Sequence, residues 1–146
     1  VKTMMDRTWK NALAAVALAF ALGHAAAQEP DATQLLRGGL QVIQMVDQNR
    51  IGEIWDGAAP VAQKRVARAD FIQQVAQARA PLGAPQQRQW AAIHRQAVAG
   101  GDAELAGQYV NVEYETRFSG GRTVREMATF QLGPDGVWRV SGYFLR

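Results

Sequence analysis

The sequence predicts an α+β domain in which N-terminal helices pack on a curved antiparallel sheet of about four strands. Three observations point there. Apolar residues recur at spacings of three and four through the first half of the chain, and they alternate with polar ones through the second half. The two regimes meet at "APLGAP", residues 80–85, where proline and glycine oppose further helix.

The elements follow in order. Asp31 is a candidate N-cap, with Gln34 three residues on as a weak capping box. Leu36, Leu40, Ile43 and Val46 then make one apolar stripe. Gly38 and Gly39 lie within it, each costing about 1 kcal/mol against alanine, and predict a close approach by another backbone. A short second helix is expected over residues 51–58, with Ile54 and Trp55. Pro60 opens a third, and Asp70 caps a fourth that runs through Phe71, Ile72 and Val75 to Arg79. A weak strand is expected over residues 89–98, with Trp90 and Ile93.

"QYVNVEYETRF" puts Val110, Val112, Tyr114, Thr116 and Phe118 on one face and Tyr109, Asn111, Glu113, Glu115 and Arg117 on a wet one. "SGGR" turns the chain into a strand with Val124, Glu126, Ala128, Phe130 and Leu132 inward. "GPDG" fits a type I turn followed by a glycine bulge. That turn sets Leu132 opposite Trp138, Phe130 opposite Val140 and Ala128 opposite Gly142, with Phe144 completing the core. Arg139, Ser141, Tyr143 and Leu145 then face outward, and the apolar end of this set marks Tyr143 and Leu145 as a candidate partner surface. A final strand held in a sheet is expected to be paired up to its last residues.

Of 146 residues, the first 27 carry a basic start (Lys2, Arg7, Lys10), the apolar run "ALAAVALAFALG" and then "HAAAQEP". This pattern predicts a secretory signal peptide cut between Ala27 and Gln28, at two small-residue positions. Twelve apolar residues are well short of the roughly 20 that cross a bilayer, so no stable membrane insertion is expected after cleavage. The expected organisation is a signal over residues 1–27 and a single domain over 28–146, placed in the periplasm or secreted. Three of the 16 bases and one of the 13 acids fall in the signal, which leaves 13 against 12. A balance near neutrality speaks against a nucleic-acid partner, which needs clustered bases. "KRVAR", residues 64–68, is expected to be the solvated face of a helix. There is no cysteine, so neither disulfides nor a lipidated cysteine enter.

Three stretches, "RAPLG" with a following Arg88, "GQYVNVEYETRF" and "GVWRVSGYFLR", together resemble a family of small exported bacterial proteins known only as a domain of unknown function. The resemblance covers roughly residues 35–146, and its closing W-R-V-S-G-Y step is its most specific part. It implies helices before an antiparallel sheet, a layout similar to the cone-shaped fold of nuclear transport factor 2. It brings no activity and no catalytic residues.

Glu126 is the carboxylate the alternation sets on an otherwise apolar face, near Thr116, Tyr114 and Phe144. A desolvated carboxylate has a raised pKa and can act as general acid or base. An ion pair with Arg37, Arg79 or Arg88 is the favoured reading, since unpaired burial is costly. Arg79 and Arg88 bracket the proline-glycine turn; they are suited to clamp an anion, although arginines so placed more often fix the loop by bonding its carbonyls or pairing with acids. The candidate ligand-binding set is therefore Glu126, Tyr114, Thr116, Arg79 and Arg88. One histidine in the mature chain, His94, without cysteines makes no metal site, and Ser119 and Ser141 form no triad with it. No cofactor is expected. The leading expectation is a non-enzymatic binding or assembly module for a small ligand or an envelope protein, with a homodimer among the assemblies it allows. The rival is a small acid–base enzyme using Glu126.

Overall fold

The computed structural model describes residues 30–146. The predicted signal peptide, residues 1–27, lies outside the described residues. Four helices, α1 (Ala32–Asp47), α2 (Ile51–Asp56), α3 (Pro60–Arg65) and α4 (Arg68–Arg79), precede four strands. These are β1 (Pro85–Val98), β2 (Gly107–Phe118), β3 (Thr123–Leu132) and β4 (Trp138–Leu145), joined in the order β1-β2-β3-β4 as one antiparallel sheet. The helices cover one face of the curved, open sheet. No helix among the described residues is long and apolar enough to cross a membrane.

Local chemistry explains the entry to α1. Asp31 sits in extended conformation and accepts from the Gln34 N–H at 2.8 Å, as an N-cap should. Leu35, Val42, Ile43 and Val46 then turn toward Val110, Val112 and Tyr114 on β2 and Ala128 on β3 in the main core. Gly39 is what lets α1 come so near. A Cβ there would lie 2.6 Å from Val112 Cγ1, so a side chain would push the helix off the sheet. Asp70 is not the cap of α4. The helix begins two residues earlier, after Ala67, and Asp70 falls in its first turn, where a carboxylate still favours the helix dipole. "KRVAR" is likewise no single helix face: Lys64 and Arg65 end α3 and pair with Glu104 and Asp102, while Arg68 begins α4 and pairs with Asp56.

The two central strands meet the expected alternation, with Val110, Val112, Thr116, Phe118, Glu126 and Ala128 all at most 1% exposed. β1 runs four residues earlier than the sequence suggests, from Pro85, with shifts in register near Pro85 and Trp90. The Gly133–Gly136 turn closes with Gly136 at φ 77° and the Gly133 N–H donating to Val137 O at 2.8 Å, as a type I turn with a glycine bulge requires.

The second half of β4 departs from the sequence reading. Leu132 faces Trp138 and Phe130 faces Val140, but Ala128 faces Tyr143, not Gly142. A bulge at Ser141 adds one residue to β4, and each side chain beyond it changes face. Tyr143 therefore points into the core at 7% exposure, Leu145 packs beside it, and Phe144 stands outside at 50%. The proposed outer surface of Tyr143 and Leu145 is overturned on this ground. Glu113 also escapes the wet environment expected for it. It is 3% exposed, under Arg125 at 3.1 Å, with Arg146 at 3.7 Å and His94 at 3.8 Å.

Candidate functional site

The polar cluster around Glu126 draws one side chain from each of six elements. Asp47 is the last residue of α1, Arg79 the last of α4, and Arg88 lies near the start of β1. Thr116, Glu126 and Tyr143 come from β2, β3 and β4. The two arginines reach the same point because the turn between them is pinned. Gly83 adopts φ 79°, a conformation that favours glycine. Ser119 Oγ accepts from the Ala84 N–H at 2.9 Å, and the Ser119 N–H donates to Ala84 O at 2.8 Å. Gly120 N–H closes on Leu82 O at 3.1 Å. Beneath this turn Leu82, Phe118 and Val124 form a second small core, and the Arg79 guanidinium rests over the Phe118 ring, 4.8 Å from its centre.

Glu126 is fully buried, and both of its oxygens are engaged. Oε1 accepts from the Tyr143 hydroxyl at 2.7 Å and from Arg79 Nη1 at 2.8 Å. Oε2 accepts from Thr116 Oγ1 at 2.5 Å and from Arg88 Nε at 3.0 Å, with Arg88 Nη2 at 2.8 Å. A carboxylate offers about four acceptor sites, and here they are taken. Asp47 closes the other side, accepting from Arg79 Nη2 at 2.6 Å and from Arg88 Nη1 at 2.7 Å. The end of a helix is a poor place for an acid, and the two guanidiniums compensate. Two positive and two negative charges balance. Arg79 Nε is buried with no hydrogen-bond partner, its planar group lying against Phe118 instead.

Burial pushes the Tyr143 phenol far above the usual tyrosine range, and the negative charge of Glu126 reinforces the shift. Burial pulls Arg79 and Arg88 down, but hydrogen bonds to Asp47 and the charge of Glu126 outweigh it, so both stay above their ordinary value. A phenol raised on folding stabilises the protein fully below its unfolded pKa of about 10 and loses that contribution as pH climbs above it. Spectrophotometric titration checks this. Tyr143→Phe should leave the tyrosinate rise of the folded protein unchanged, because Tyr143 ionises only when alkali unfolds the chain. Loss of a tyrosinate step near pH 10 in the folded variant would contradict it.

Four of the five residues singled out from sequence, Glu126, Thr116, Arg79 and Arg88, meet in this cluster. Tyr114 lies opposite Glu126 across the ladder, but its hydroxyl donates to Leu36 O at 2.9 Å. Arg37 stays exposed on α1. Sequence reasoning missed Asp47 and Tyr143. An acid on the last turn of a helix was the available signal for Asp47; the bulge hid Tyr143. Among the described residues no group of three or more His, Cys, Asp or Glu side chains could hold a metal ion.

The family model for DUF4019, protein of unknown function, matches residues 39–143. The chain belongs to the DUF4019 family. The matched span runs from Gly39, where α1 meets Val112, to Tyr143, and so contains all six members of the cluster. No curated protein matches the chain.

Proposed function

We propose that this DUF4019 protein is exported, loses its first 27 residues near Ala27–Gln28, and works in the periplasm or outside the cell as a non-enzymatic binding or assembly module. Helices followed by a curved antiparallel sheet are the layout of the nuclear transport factor 2-like cone, and that assignment belongs to the same proposal. One observation supports it above the rest: every acceptor site of Glu126 is filled from within the chain. A general acid or base must reach substrate through an open lone pair or proton, and this carboxylate has neither to spare. The cluster ties six elements together, and recognition is left to the surface.

Native mass spectrometry of the protein purified from its own host tests the reading. The expected spectrum shows a chain starting at Gln28, carrying a partner or retained ligand. A chain still bearing residues 1–27 would overturn the compartment. A turnover that Glu126→Gln abolishes at unchanged stability would overturn the non-enzymatic assignment and return the acid–base enzyme.

A further inference from the structure

We infer that the free edge of β4 is a docking trench for an extended segment of another polypeptide, which adds to the sheet as a fifth strand. This rests on the binding-module reading above and names its mode. Arg125 and Arg146 exchange both backbone hydrogen bonds, at 3.0 and 2.9 Å. Bonded and non-bonded pairs alternate along an antiparallel ladder, so Phe144 and Gly142 also turn their backbone groups toward β3. The N–H and C=O of Tyr143 and Leu145 consequently point to the open side, where β4 has no neighbouring strand among the described residues. Val140, which faces the same way, already takes a backbone bond from outside: the Ala59 N–H donates to its carbonyl at 2.7 Å. That contact covers the start of the edge and leaves the rest.

The trench beside this edge is lined by Val66, Phe71, Gln74, Val75 and Ala78 from the α3–α4 side and by residues 141–145 of β4. It measures about 210 Å³, below the roughly 300–1,000 Å³ typical of small-molecule sites, and its apolar wall suits alternate side chains of a strand. Backbone pairing supplies affinity and such a wall supplies selection, the recognised logic of strand addition. Phe144, half exposed, lies across Gly142, where a Cβ would meet its ring at 2.5 Å; it forms the outer lip. A second copy is the poorer occupant. A stable dimer needs about 800 Å² from each partner, and among the described residues the trench beyond the Ala59–Val140 contact offers outward backbone at Tyr143 and Leu145, a short ladder for such a dimer.

The test is a titration of the isotope-labelled mature protein with a capped heptapeptide that alternates valine and threonine and ends in lysines. Amide signals of Tyr143, Leu145, Val66 and Phe71 are expected to move together, and hydrogen exchange at Tyr143 and Leu145 to slow. Methylating the central peptide nitrogen should weaken binding about tenfold, as should Ala78→Glu at the exposed rim. Movement confined to β1 or to the outer face would overturn the trench and leave the binding-module reading standing. So would an unmoved spectrum up to the solubility limit of the peptide, since the mass spectrum judges that reading separately. Protection of Tyr143 and Leu145 that grows with protein concentration alone would assign the edge to a second copy and overturn the proposal.

Discussion

Glu126→Gln is expected to lower the free energy of unfolding by about 3–5 kcal/mol, the usual penalty for breaking a buried ion pair from one side. The glutamine amide would turn an NH₂ group toward Tyr143, Thr116 or an arginine, groups that all donate to Glu126 in the native protein. It would also leave Arg79 and Arg88 sharing Asp47 alone. Urea unfolding measures the loss through the midpoint, with the slope unchanged if the denatured state is unaltered. Catalytic carboxylates behave in the opposite way, since their replacement removes activity and spares the fold.

Phe118→Ala should be comparably damaging, at about 3–5 kcal/mol for a fully buried phenylalanine. Phe118 is 0% exposed and joins Leu82 and Val124 in the small core beneath the pinned turn. Its ring also carries the Arg79 guanidinium, so truncation removes the floor of the ionic cluster as well as apolar contacts. Phe118→Leu retains most of the volume and none of the ring quadrupole. It should therefore cost well under half as much as the alanine change in the same urea experiment. Equal losses would mean that the stacking, not the packing, dominates.

What could be read from sequence follows from how locally each feature is determined. The Asp31 cap and the Gly133–Gly136 turn depend on residues a few positions apart, and the structure agrees with both; the stripe of α1 is met at Ile43 and Val46, while Leu35 and Val42 are buried more fully than the expected Leu36 and Leu40. Glycines inside a helix need a reason, so a close approach at Gly39 was foreseeable, but it is made to the Val112 side chain and not to another backbone. Tyr143 and Leu145 were assigned to the wrong face because period-two alternation was carried straight through Ser141. A one-residue bulge leaves no trace in composition, and Gly142 beside it has no side chain to betray its face. The apolar end of the supposed outer set was the sign that the strand had turned over. Asp47 and Arg79 lie 32 residues apart, and nothing in a helical period says which distant cation will meet an acid at the helix end. Glu113 was placed on the wet side correctly as to face, yet it is buried there by Arg125 and its neighbours, an effect of long side chains that alternation does not encode.

Asp47, Arg79, Arg88 and Glu126 act as one charge-balanced unit holding the helices to the sheet. A double-mutant cycle on Arg88 and Glu126, using Arg88→Met and Glu126→Gln with unfolding free energy as the readout, tests it most directly. Each single change strands charge, whereas the double change leaves Arg79 with Asp47 as a balanced pair. The double variant is therefore expected to lose clearly less stability than the sum of the singles, with a coupling of about 1–3 kcal/mol. Additive losses would contradict the account and return Glu126 to the residues free to serve a ligand.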